Sequence, residues 1–149
     1  MNPFEVIKAQ LSTLVPFQNF VGIELIELSD GAASARMEQR QDTSNHIQSQ
    51  HAGAMFTLGE AASGAAMAAS MAPVILSVRP VAASATINFL KIAKGTLTAF
   101  AKTSAPGAEL LATLESEGKV AFEVVVDIQD SEKDSVVEMK ITWHVSKRS

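Results

Sequence analysis

HAGAMFTLGEAASGAAMAASM, residues 51–71, decides how this chain folds. Nearly every position is small or apolar, and the stretch carries one charge, Glu60. Ala, Leu and Met are good helix formers, and no proline interrupts them. A helix apolar on all sides belongs inside a protein. Its Ala, Gly and Ser residues let neighbouring backbone approach closely, so the stretch reads as a thin helix enclosed by something larger. A carboxylate in such a place is costly to ionise. It is therefore a candidate functional group, unless it sits at the edge of burial and pairs with a lysine or caps a loop.

The length of 149 residues fits one domain with a proper core. A net charge of −4 gives a nucleic-acid partner no electrostatic support. The absence of cysteine removes disulfides, thiolate metal sites and a thiol nucleophile together. Three histidines without a paired carboxylate motif argue against a metal site, and no serine-centred nucleophile elbow occurs. MNPFEVIKAQ lacks the basic-then-apolar layout of a secretion signal, so the expected location is cytoplasmic. Residues 52–71 are long enough to suggest a membrane span. Their Ala, Gly and Ser content and Glu60 speak against one, and no membrane association is expected.

Outward from that helix, the elements follow from periodicity and breakers. Residues 3–15 read as an amphipathic helix with Phe4, Ile7, Leu11 and Leu14 on one face, ended by Pro16. Residues 20–28 read as a strand, Ser29-Asp30-Gly31 as a turn, and 32–39 as its hairpin partner. Arg40 to Gln50 is polar throughout and reads as a functional loop. Pro73 closes the central helix. Residues 81–92 and 95–103 read as strands, and 108–117 as a short helix or ordered connection. In the last two strands, Val120, Phe122, Val124, Val126 and Ile128 alternate, as do Val137, Met139, Ile141, Trp143 and Val145. Such alternation marks half-buried antiparallel strands. The expected fold is α+β, one antiparallel sheet wrapped around one long central helix.

The chemistry gathers at the start of that helix. Glu60 shares a helical stripe with Phe56, Thr57, Ser63, Gly64 and Met67. His51, Ala52 and Gly53 stand at the N-terminus, where free N–H groups favour developing negative charge. Asn45 lies in the polar loop just before. Together they supply the parts of an oxyanion site, a base and a covering loop. Simpler roles exist for each. Asn45 can cap a turn, His51 can position the helix start, and Ser63 can bond back into its own helix.

The pattern Asn45-x5-His51-Ala52-Gly53-x6-Glu60, with Ser63 following, resembles the hotdog-fold acyl-CoA thioesterases. The PaaI-like and 4-hydroxybenzoyl-CoA thioesterase branches are the most similar. They carry Asn, then His-Gly-Gly, then an acid nine residues after the His. Thr86-Ile87-Asn88-Phe89-Leu90 with Lys91 and Gly95 resembles their strand after the helix. Ala52 replaces the first glycine of the motif, which leaves the oxyanion donor open between the Ala52 and Gly53 amides.

The resemblance implies hydrolysis of acyl-CoA or related pantetheine thioesters without cofactor or metal. Glu60 would serve as base or nucleophile, Asn45 would hold water, and His51, Ala52, Gly53 and Ser63 would complete the catalytic group. Met55, Phe56, Ser84, Asn88 and Lys91 are the candidates for substrate contact. Met55, Met67 and Met71 suggest an apolar acyl channel. Such folds dimerise through their sheets, many as tetramers, so 81–92 is the expected dimer edge and Asn45 of one chain would face Glu60 of the other. A non-catalytic acyl-CoA-binding module and a structural protein in which Glu60 merely pairs are the competing readings. A hydratase of the same fold is the less favoured reading.

Overall fold

A computed structural model describes residues 2–148. Twelve elements follow one another along the chain. Helices α1 (Pro3–Leu14) and α2 (Pro16–Val21) lead into strands β1 (Ile23–Ser29) and β2 (Ala32–Met37). A 3₁₀ turn at Gln41–Thr43 precedes the central helix α3 (Ala52–Ser70), and a second at Ala72–Ser77 follows it. The rest is β3 (Val78–Phe89), β4 (Leu97–Thr103), α4 (Gly107–Glu117), β5 (Lys119–Gln129) and β6 (Ser135–Lys147). The strands form one sheet in the order β1-β2-β4-β5-β6-β3, every pairing antiparallel.

The sheet curls around α3, as the periodicity requires. The alternating residues of β5 and β6 named above all turn into the core. On the helix, Ala61, Ala62, Ala65, Ala66, Ala68 and Ala69 are each no more than 2% exposed. With so little side chain, the helix lies close on the strands. A Cβ at Gly59 would collide with the sulfur of Met139 on β6, and one at Gly64 would come within 3.4 Å of the Trp143 ring. Trp143 is core, and its Nε1 donates to Ser63 Oγ at 3.2 Å. This is a hotdog fold.

Two differences from the sequence reading concern the first thirty residues. Pro16 does not merely end α1. It opens the separate helix α2 as its first residue, where a missing N–H costs nothing. Gly22 then ends α2 in the left-handed conformation at φ 91°, so β1 starts at Ile23 rather than at residue 20. The apolar run around Phe20 therefore belongs to α2 and not to a strand. On the other side of the molecule β3 is longer at its start and shorter at its end than 81–92. Its pairing with β6 covers one edge only, and the other edge is open at the end of the sheet. Helix α3 packs on β1, β2, β4, β5 and β6, and β3 reaches beyond it.

Candidate active site

Helix α3 has one uncovered stripe. Ala52, Gly53 and Phe56 are exposed, Thr57, Glu60 and Gly64 are partly so, and every other residue of the helix is buried. The spacing of three and four puts these six on one face. Glu60 is thus the sole acid on a strip that begins at the helix N-terminus. Burial pushes its carboxyl above the ordinary carboxylate range. No lysine, arginine or histidine of the described residues lies within ion-pair distance of it. Within the described residues of one chain, Glu60 therefore has no cation to pair with.

At the helix start, His51 is the N-cap, and its Nδ1 accepts the Gly53 N–H at 2.8 Å. That bond commits the neutral ring to carrying its proton on Nε2. It also engages the Gly53 amide. Ala52, as the first helical residue, has no partner for its N–H within the helix, and none among the loop and side-chain bonds of the described residues. Of the two candidate amides, Ala52 and Gly53, the one left free is that of Ala52.

The loop before the helix is tied down in detail. Asn45 Oδ1 accepts from the N–H of Ile47 and of Ser49, each at 3.0 Å, and Nδ2 donates to Ser49 Oγ at 2.8 Å. The side chain thereby shapes its own loop, and nothing within the chain joins it to Glu60. Gln39, from the end of the hairpin, accepts the Gly95 N–H at 2.8 Å and donates to Gln48 O at 3.1 Å. Buried Gln50 donates to Gly95 O at 3.0 Å, while its Oε1 has no partner. These glutamines fasten the loop to the β3–β4 connection. Nothing in their sequence spacing marks them, because both bonds cross more than forty residues.

Other candidates fall elsewhere. Ser63 is fully buried, donating to Glu60 O at 2.8 Å as well as accepting from Trp143. Met55, Met67 and Met71 are buried in the core, so the methionines line packing and not an open channel. Phe56 is 37% exposed on the stripe. Ser84 and Asn88 pair with Thr142 and Glu138 and stand on the sheet face away from α3, remote from Glu60 within one chain. Lys91 donates to Asp134 at 2.9 Å, with Asp130 at 3.5 Å, in the β5–β6 turn. No cluster of three potential metal ligands occurs among the described residues. No helix among them is long and apolar enough to cross a membrane.

The structure adds a cleft of about 460 Å³ beside the helix start. Phe17, Phe20 and Val21 of α2 form one wall, Arg40 to Ser44 another, and His51, Gly53, Ala54 and Thr57 the floor. Phe17 and Phe20 stack at 6.3 Å between ring centres and remain 60% and 77% exposed. Reading residue 20 as strand concealed this wall, since the two rings meet only through the i, i+3 spacing of a helix.

Sheet, enclosed helix and a lone acid on its open stripe place the protein in the hotdog class. The chain belongs to the family described as Domain of unknown function (DUF4442), whose model matches residues 5–145. A Pseudomonas aeruginosa protein of unknown function, described as a probable thioesterase, superposes at a TM-score of 0.85 with 24% identity, over 99% of this chain and 97% of its own. The E. coli PaaI protein of the phenylacetic acid degradation operon gives 0.76 and 20%, over 99% and 94%. A Streptococcus pneumoniae hypothetical thioesterase solved with coenzyme A gives 0.67 and 21%, over 98% and 97%. Such identities show a shared fold. No curated protein matches the chain in sequence.

Proposed function

We propose that the protein hydrolyses acyl-CoA, or a related pantetheine thioester, to free acid and thiol. The observation that carries this reading is Glu60: an acid with a raised pKa and no cation partner, two turns along an open stripe from a free amide. The thioester carbonyl would accept from the Ala52 N–H at the positive end of α3, where the oxyanion of the tetrahedral intermediate gains most. Glu60 would take a proton from water as that water attacks. The oxygen–carbon bond forms, the carbon–sulfur bond breaks, and the thiolate leaves and is protonated. Attack by the carboxylate itself, through an anhydride, is the other route open to an acid so placed. Solved relatives described as thioesterases, one of them with coenzyme A, support the assignment.

The site is proposed to be completed by a second copy of the chain. The open edge of β3 would pair with its equivalent, giving a dimer at least. This brings the partner's loop toward Glu60, so that Asn45 could serve there through its exposed side. An unpaired long edge is a standing invitation to strand addition. Phe89 and Leu90 at its end are 48% and 47% exposed, which favours burial against a partner.

Thiol release across a panel of short, long and aromatic acyl-CoAs, with and without chelator, tests the activity. No release above background in any member refutes it, and loss in chelator refutes the metal-free chemistry. Mixing inactive Asn45→Ala with inactive Glu60→Ala under subunit exchange tests sharing. Recovery of one site per heterodimer is expected, and no recovery with exchange confirmed refutes it.

A further inference from the structure

We infer that the cleft between α2 and α3 is the acyl subsite, and that Phe17 and Phe20 select substrates with an extended apolar acyl group. The inference rests on the thioester hydrolase reading and deepens it. A thioester bound at the helix start has two arms, an acyl arm and an anionic, phosphate-bearing coenzyme arm. The cleft opens beside Gly53 and runs past Thr57, one turn before Glu60 on the same stripe, to the stacked phenyl rings. Its floor, at Gly53 and Thr57, therefore borders the stripe that carries Glu60.

Charge decides which arm. The only cation in the lining is Arg40, and its Nη2 is engaged by Phe20 O at 2.8 Å and Val21 O at 2.7 Å. The carboxylate of Asp42 stands in the same wall. With Arg40 balanced by Asp42 in the same wall, the lining offers a phosphate no net positive charge, which disfavours the coenzyme arm. An apolar chain or aryl ring would instead bury two phenyl faces that water now covers. The rings sit on the surface, so replacing them leaves the core untouched.

The test compares wild type with Phe17→Ala/Phe20→Ala on acetyl-, octanoyl- and phenylacetyl-CoA. The ratio of kcat/KM for octanoyl- or phenylacetyl-CoA to that for acetyl-CoA should fall by about tenfold or more, the scale of losing a buried phenyl contact. In parallel, calorimetry measures octanoyl-CoA and free CoA binding to Glu60→Gln and to the triple variant. The aromatic changes should weaken octanoyl-CoA and leave free CoA unchanged. An unaltered ratio with turnover intact overturns the subsite while the hydrolase reading stands. Equal weakening of free CoA assigns the cleft to the coenzyme arm and overturns it. A drop in molecular mass by light scattering would show a subunit contact instead and overturn it too. Phenyl-dependent binding without turnover in wild type supports the subsite and removes the hydrolase reading. Absence of both binding and turnover overturns both.

Discussion

His51 closes the start of α3 with its own ring, Nδ1 holding the Gly53 amide at 2.8 Å. One side chain thereby engages the second amide of the helix and leaves the first, that of Ala52, without a partner. His51→Ala should cost about 1 kcal/mol, the value of a lost N-cap, or roughly 2–4 °C in melting temperature for a chain of this size. His51→Asn should restore most of it, because Asn is a good cap. Thermal melts of the two variants check this. Equal melting of wild type and Ala variant would show that the ring bond adds no stability.

Glu60→Gln should lower turnover by roughly 10²-fold or more, the contribution of a general base. Its effect on stability has a definite sign. Burial raises the folded-state pKa above the ordinary 4.5, so the fold favours the protonated acid. The favourable contribution of Glu60 is full below the unfolded pKa and is lost as pH rises through the folded one. Gln, which never ionises, should therefore melt level with or above wild type at neutral pH. That advantage should shrink toward acid. Wild-type turnover should rise with pH through the same raised pKa as the base ionises. An early-melting Gln variant with near-normal turnover per folded molecule would make Glu60 a structural residue.

Ser63→Ala strips the acceptor from the buried Trp143 indole. An unsatisfied buried donor costs about 1–3 kcal/mol, so the variant should melt several degrees lower. Turnover per folded molecule should change far less than in Glu60→Gln, since the hydroxyl is enclosed between helix and sheet. A turnover loss matching that of the Gln variant, with the melt unchanged, would instead put Ser63 at the reacting atoms.

Ala85→Lys/Phe89→Lys places two charges on β3 where both residues are exposed in the single chain. Lysine on an edge strand opposes pairing with another chain. Light scattering should show the mass fall to that of one chain, and activity should fall with it. An unchanged mass would move the subunit contact away from this edge.

The layout of the fold was legible wherever periodicity was strong. The five alternating apolar residues in each of β5 and β6, and the unbroken run of α3, left one packing solution. Pro16 misled because the same residue type both ends one helix and begins the next, and only the short connection decides. At the site, Glu60 and the His51 start were visible through their spacing. Ser63 and Met55 share the motif region, yet helical phase turns them inward. Gln39, Gln50 and the Phe17–Phe20 wall were hidden because their contacts depend on tertiary folding or on the unrecognised α2.

The thinness of α3 also limits how sequences of this kind can diverge. A buried helical side made mostly of alanine, glycine and serine has little room for larger residues. At Gly59 even one carbon meets Met139, and added volume in a filled core strains it. Drift in the helix is therefore confined to Ala52, Gly53, Phe56, Thr57, Glu60 and Gly64, half of which border the chemistry. The surface of α2 carries no such constraint. Substitution of its exposed Phe17 and Phe20 alters the cleft wall without altering the packing of the helix beneath.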